Sequence, residues 1–345
     1  MLFRTPSLAA REAEVIVEIE AIGGQFDASL PRVRQWPGLP WRDIHDRVLG
    51  LAEDDTPAAV SYQSALNFVL QLADAQDFRY DEGILRTLHF LILQHDPAKN
   101  PGHWRHGAML VARHEHFAGY VDYRAPDFRL VPKLMAELVA ELNTPGDGPA
   151  LVRAAMAHLN LATIHPFLDG SGRVARALHT LVLVRAGNWM PAFSSIDEYV
   201  SVNHAAYAGA LQQVHGGAWQ PERDARPWVR FCLTAHLRQA RTIARSSQEY
   251  DRLCEALERE AAQRGLPGRT VCVLAAAAIG GSLTRDEYET AAEVSPGAAD
   301  ADLGLLVEAG LLATEADAFL PGETLKLIAE GAREAEGPEA DPFAV

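Results

Sequence analysis

Twelve consecutive residues carry the densest chemistry in this chain: His165-Pro166-Phe167-Leu168-Asp169-Gly170-Ser171-Gly172-Arg173-Val174-Ala175-Arg176. Histidine takes and returns a proton near neutral pH, so His165 is a candidate base. Asp169 offers hard oxygens, which suit a Mg²⁺ that also bridges phosphates. The loop Gly170-Ser171-Gly172 holds two glycines, which let backbone approach an anion closely. A helix starting at about Gly172 aims free N–H groups and the positive end of its dipole at the same place. Arg173 and Arg176 are three apart, share a face of the first turns, and can grip phosphate oxygens in pairs. A base, a metal ligand, a backbone cradle and two cations are the parts needed to transfer a phosphorus-centred group. Positioning and charge stabilisation dominate such reactions. The parts alone leave open whether the α- or the γ-phosphorus is attacked.

These side chains need two helices and a turn to hold them. The apolar run Ala150–Ile164 reads as a helix that delivers His165 at its end, with His158 and Asn160 as packing residues. A second helix runs from about Gly172 to Ala186. Upstream, SALNFVLQLADA and ILRTLHFLILQHD carry apolar residues at helical spacing, as does Leu130–Leu142. Pro101-Gly102 marks a turn. AMLVAR and GYVDYR then read as a β-hairpin, about Ala108 to Tyr123. A long helix, Trp228–Arg264, follows, anchored by Trp228 and Phe231.

We divide the chain into an N-terminal extension wrapping the core (1–60), a central domain with its long helix (61–264), a C-terminal module (266–332) and a solvated acidic tail (333–345). The extension has one helix, Glu12–Ile22. Three prolines then predict an irregular LPRVRQWPGLPWRDI, with Trp36 and Trp41 packing it down. In the module TVCVLAAAAIGG, SLTRDEYETAAEV and SPGAADADLGLLVEAGLL read as three helices and TEADAFLPG as a hairpin. Thr284 and Glu287 have capping-box spacing. That order is the order of a winged helix-turn-helix. Its recognition-helix position, Pro296–Glu308, holds Asp300, Asp302 and Glu308 and neither Lys nor Arg. Phosphate contacts need cations, so DNA is not the expected partner. A protein contact or a homodimer is.

Composition agrees with a soluble globular protein. Of 345 residues, 48% are hydrophobic, and 31 Lys and Arg stand against 46 Asp and Glu, a formal charge of −15. Nucleic acid and anionic membranes repel such a chain, so any phosphate site must be built locally. The three cysteines lack metal-ligand or redox spacing. With no long apolar run, the expected location is a reducing cytoplasm, with no membrane partner.

HPFLDGSGRVAR resembles the signature of the Fic family, His-Pro-Phe-x-Asp/Glu-Gly-Asn-Gly-Arg-x-x-Arg. NPGHWRHG is similar to the turn that opens the Fic flap, and the flanking helices AHLNLATIHPF and RALHTLVLVRAG are similar too; the likeness spans roughly Ser61 to Gln248. The resemblance implies a mostly α Fic core with a β-hairpin flap and, as in some members, a C-terminal winged helix. It implies an adenylyltransferase that moves AMP from ATP, with Mg²⁺, to a Ser, Thr or Tyr hydroxyl of a target protein. His165 would be the base, Asp169 the Mg²⁺ ligand, and Gly170, Ser171 and Gly172 the anion hole. Arg173 and Arg176 would hold the β and γ phosphates, and the flap near Ala108–Tyr123 would align the target by strand addition. The alternatives are transfer of phosphate or UMP by the same site, or a catalytically weakened nucleotide-binding regulator. Ser171 departs from the family's Asn. The family's inhibitory helix, Ser/Thr-x-x-x-Glu-Gly/Asn, has no clean copy. Glu18 and Glu20 are its nearest stand-ins and read as a solvated helix face.

Overall fold

A computed structural model describes residues 1–33, 56–73, 75–111, 122–146, 148–187, 195–316, 318–333 and 341–344. Trp36, Trp41, the centre of the predicted hairpin (112–121) and residues 334–340 of the acidic tail lie outside them. The chain forms two compact units: residues 1–24, 45–240 and 341–345, and residues 25–44 and 241–340.

The first unit is helical. Its elements are α1 (Ala10–Val33, which runs past the unit's edge), α2 (Pro57–Ala73), α3 (Glu82–Leu93), α4 (Val131–Asn143), α5 (Ala150–Ile164), α6 (Ser171–Arg185), α7 (Asp197–Val202), α8 (His204–His215) and the first part of α9 (Arg226–Arg264). Periodicity explains them. In α3, Leu85, Leu88, His89, Ile92 and Leu93 are buried at three- and four-residue spacing, and Asp81 caps the start by accepting the Ile84 N–H. Helices α5 and α6 are buried on nearly every face and pack together at the centre. Ala154, Ala155 and Ala157 on one and Ala175 and Ala177 on the other let the backbones approach. Helices α2, α3 and α4 pack around this pair.

Two expectations need correction. Helix α1 continues to Val33, through the Pro31 where an irregular stretch was expected. Pro31 sits in the last turn, where it costs one backbone hydrogen bond and not the helix. The chain's end is not fully solvated. Phe343 packs against the first unit's core, Arg230 lies over its ring at 5.2 Å, and Arg11 Nε donates to the Pro342 carbonyl. One aromatic supplies enough apolar area to hold residues 341–344 down.

Trp228 is fully buried and donates its indole N–H to the Ala155 carbonyl at 2.7 Å, which anchors α9 as expected. Beside it lies a buried histidine cluster. His158 Nε2 meets the Tyr207 hydroxyl at 3.0 Å, and His179 Nε2 meets His236 Nε2 at 2.8 Å. Burial, then Arg176, pushes His158 well below its ordinary pKa; burial, then the neighbouring histidines, does the same to His179. The unfolded chain therefore binds protons near pH 6 that the folded chain refuses. Stability is expected to be full above about pH 6.5 and to fall below it, each of these two histidines adding up to about 1.4 kcal/mol per pH unit. Urea midpoints between pH 7.5 and 5 measure this; a flat profile counts against it.

The second unit holds the rest of α9, then α10 (Thr270–Gly280), β3 (Leu283–Thr284), α11 (Arg285–Ala292), α12 (Pro296–Glu308), β4 (Leu312–Glu315), β5 (Ala318–Pro321) and α13 (Glu323–Ala332). The strands form an antiparallel sheet in the order β3-β5-β4. The Thr284–Glu287 capping box is formed in both directions. Strand β3 and helix α13 were not anticipated, the strand being too short to show alternation. Asp302, one of the acidic residues at the recognition-helix position, is buried, held by Arg269 Nε at 2.7 Å and by the Tyr288 hydroxyl at 2.8 Å. No helix among the described residues is long and apolar enough to cross a membrane.

Candidate active site

Helix α5 ends by turning left-handed at His165 (φ +48°, ψ 62°), whose N–H closes on the Leu161 carbonyl. Histidine is among the few non-glycine residues that visit this region. Pro166 prevents the helix from continuing. Burial pushes the His165 pKa down to about 4; the Ala162 carbonyl opposes this, Arg105 adds to it, and Asp169 opposes it. The imidazole is therefore neutral at pH 7, the form that accepts a proton.

The loop then folds back onto a second helix start. Phe167 is fully buried, stacked on His89 at 3.7 Å, and its N–H donates to Ser171 Oγ at 3.2 Å. Ser171 is thus a buried loop-closing acceptor. Gly170 caps α6 with φ +74°. A β-carbon there would lie 3.2 Å from Leu93 Cδ1. Gly170→Ala is expected to destabilise the protein by about 1–2 kcal/mol from backbone strain alone, read as a lower urea midpoint; an unchanged midpoint would count against it. Gly172 has ordinary backbone geometry, and a β-carbon there would meet only Arg176, at 3.9 Å.

Asp169 Oδ1 accepts the Gly170 N–H at 2.6 Å; Arg173 lies 3.8 Å from Oδ1 and Lys99 3.5 Å from Oδ2. Burial raises its pKa, but the Gly170 N–H, Arg173 and Lys99 outweigh this and hold it below the usual carboxylate range. Asp169 is ionised and partly exposed. A single such carboxylate fits Mg²⁺ only in the mode that takes its remaining ligands from phosphates and water. No cluster of three or more ligating side chains occurs among the described residues.

The two arginines diverge. Arg173 turns back to Asp169, whereas Arg176 runs inward to a short ion pair with buried Asp197 and lies over the Tyr62 ring at 5.8 Å. Asp197 also accepts from the Tyr62 hydroxyl at 3.0 Å and from Ser195 Oγ at 2.6 Å. The carboxylate beside Arg176 is therefore Asp197, the first residue of α7, and not a glutamate of α1.

Sequence reading missed four residues that shape this site: Asp197, Lys99, His89 and Arg105. His89 Nδ1 accepts the Gly102 N–H at 2.8 Å, so Nε2 carries the hydrogen and donates to the Asp169 carbonyl at 3.1 Å. The position of His89 on the buried stripe of α3 was the only hint. The flap base is described: β1 (Leu110–Val111) pairs antiparallel with β2 (Tyr123–Arg124), Leu110 opposite Arg124. A cleft of about 710 Å³ in the first unit is lined by α7, α8, α9 and the chain end, and by none of residues 165–176.

The Fic/DOC family profile matches residues 79–183, which contain the whole segment from His165 to Arg176. The chain carries a Fic/DOC domain. Within and around it, the chain is 28% identical over 204 residues to the protein adenylyltransferase Fic of Nematostella vectensis, covering 56% of this chain and 39% of that protein. It is 34% identical over 113 residues to the protein adenylyltransferase fic-1 of Caenorhabditis briggsae, covering 31% and 19%. The chain therefore spans well under half the length of either relative. The crystal structure of a Fic family protein from Desulfovibrio desulfuricans superposes with a TM-score of 0.54 at 19% identity, over 92% of this chain and 98% of that one. The mostly α Fic fold is shared.

Proposed function

We propose that this Fic protein transfers AMP from ATP, with Mg²⁺, to a hydroxyl group of another protein. One observation carries the reading: a neutral histidine at the end of α5 stands directly before a loop whose helix start offers N–H groups beside Asp169 and Arg173. On this reading His165 takes the proton of the attacking Ser, Thr or Tyr hydroxyl. The Gly170-Ser171-Gly172 backbone and the α6 dipole receive the phosphates, and Arg173 and Arg176 neutralise them. Asp169 would hold Mg²⁺, which supplies charge neutralisation on the phosphate oxygens when bound. The outer edge of β1, where Leu110 is exposed, would align the target as an added strand. The relatives' names, which state adenylyl transfer, support the same chemistry.

A second reading has its own support. Arg176 is already paired with Asp197, and Ser171 is spent on closing the loop. Both fit a nucleotide-binding regulator with weakened catalysis. Residues 266–332 we read as a winged-helix module for protein contact or homodimerisation. Its α12 carries Asp300 and Glu308 and no cation. Three free cysteines suit a reducing compartment.

Intact-protein mass spectrometry after incubation with ATP and Mg²⁺ tests the proposal. A gain of one AMP, lost when the metal is chelated, is the expected result. ATP binding by calorimetry without any covalent gain, for this protein and for candidate targets, would favour the regulator.

A further inference from the structure

The end of helix α5 has an unusual set of partners. Helix C-termini leave carbonyls that something else must satisfy. Here five of the six carbonyls from Leu161 to Pro166 have a donor from outside the regular helix ladder or from its cap. The Leu161 carbonyl takes the His165 N–H. The Thr163 carbonyl takes the Tyr123 hydroxyl at 2.6 Å. The next three all take Arg105: Ile164 its Nη2 at 3.5 Å, His165 its Nε at 2.7 Å, and Pro166 its backbone N–H at 2.9 Å.

Arg105 does not end there. Its Nη1 donates to the Gly107 carbonyl at 2.7 Å and its Nη2 to the Pro126 carbonyl at 2.6 Å. Gly107 precedes β1 and Pro126 follows β2, so the guanidinium grips both roots of the flap. Tyr123, which bonds Thr163, is itself a residue of β2. Arg105 is only 5% exposed. A rigid, planar fork with five N–H groups is the side chain that can hold four carbonyls at once; an ammonium has three donors and no plane. A cation at this place also complements the negative end of the α5 dipole.

We propose that Arg105 is a positioning residue that ties the flap base to His165, so that the histidine keeps its left-handed pose only while both flap roots are seated. This rests on the reading of His165 as the base. Arg105 touches no reacting atom; it acts through the His165 carbonyl. Seating a target strand on the flap would then bear directly on the histidine that receives the target's proton. The coupling is carried by one side chain.

The test compares the whole wild-type chain with Arg105→Lys and with Tyr123→Phe, using ATP, Mg²⁺ and ¹³C-histidine NMR. Lysine keeps the charge and loses the fork. Arg105→Lys is expected to lower kcat for AMP transfer about 100-fold, the scale of a 1 Å misplacement, with KM for ATP within about 2-fold. The His165 titration should rise from about 4 toward the free-imidazole value near 6.5. Tyr123→Phe, which removes one hydroxyl and leaves Arg105 in place, should show the same signature at about a tenth of the size. Unchanged kcat and an unchanged His165 titration in a folded Arg105→Lys would overturn the proposal. If that variant fails to fold, an unchanged Tyr123→Phe overturns it instead. If the wild type transfers no AMP but the titration still moves, the transferase reading fails while the tie between Arg105 and His165 stands.

Discussion

Replacing His165 with alanine is expected to cut AMP transfer by about 10²–10⁴-fold while leaving ATP affinity nearly unchanged. The two effects separate because the anion cradle and the base come from different elements. The cradle is the backbone at the start of α6 with Arg173 beside it, and none of it bonds the His165 ring. The proposed base, His165, caps the end of α5. Its burial keeps the imidazole neutral down to about pH 4, so it is ready to accept a proton throughout the working range. Alanine at φ +48° is strained by about 1–2 kcal/mol. His165→Asn is therefore the better companion, since asparagine tolerates this conformation and lacks a base. Both variants should bind ATP by calorimetry and transfer almost nothing by mass spectrometry. Transfer by both within tenfold of wild type would remove His165 from the mechanism.

Asp197→Ala is expected to give the largest loss of stability among single substitutions around the site, about 3–5 kcal/mol. Asp197 is 6% exposed, and it accepts from Arg176, Tyr62 and Ser195 at once. Removing it leaves a guanidinium buried without its counter-charge. The Tyr62 hydroxyl, whose ionisation burial and Asp197 both suppress, loses its acceptor as well. Asp197→Asn keeps an acceptor and loses only the charge, so its cost should be smaller. Urea unfolding of the three proteins at pH 7.5 gives the comparison. A cost below about 1 kcal/mol for alanine would mean that Arg176 finds another partner inside the unit.

How much of this was legible beforehand varies with distance along the chain. The helix that delivers His165, the turn at Pro166, the glycine loop and the helix after it all follow from bonds between residues one to four apart. Apolar spacing showed α2 to α6 because each buries a stripe against the α5–α6 pair. The Thr284–Glu287 capping box is equally local. Helices α7, α8 and α13 were missed. Only two of the six residues of α7, Asp197 and Val200, are buried, and α8 buries only Ala210, Val214 and His215, too few to show a stripe.

What the residues determined by themselves is thus the local arrangement: a histidine before a turn, a helix start with free N–H groups, and a carboxylate between them. The tertiary structure decided which partner each charged side chain takes. Arg173 and Arg176 share a helix face in sequence, yet one turns back to Asp169 and the other inward to Asp197. Arg105 reads as one more basic residue near a turn, and packing makes it the donor to His165, sixty positions away. A long flexible side chain can reach several acceptors, and periodicity says nothing about which. Burial chooses, because a buried charge must meet every partner that the fold places within reach or bear the cost of desolvation unmet.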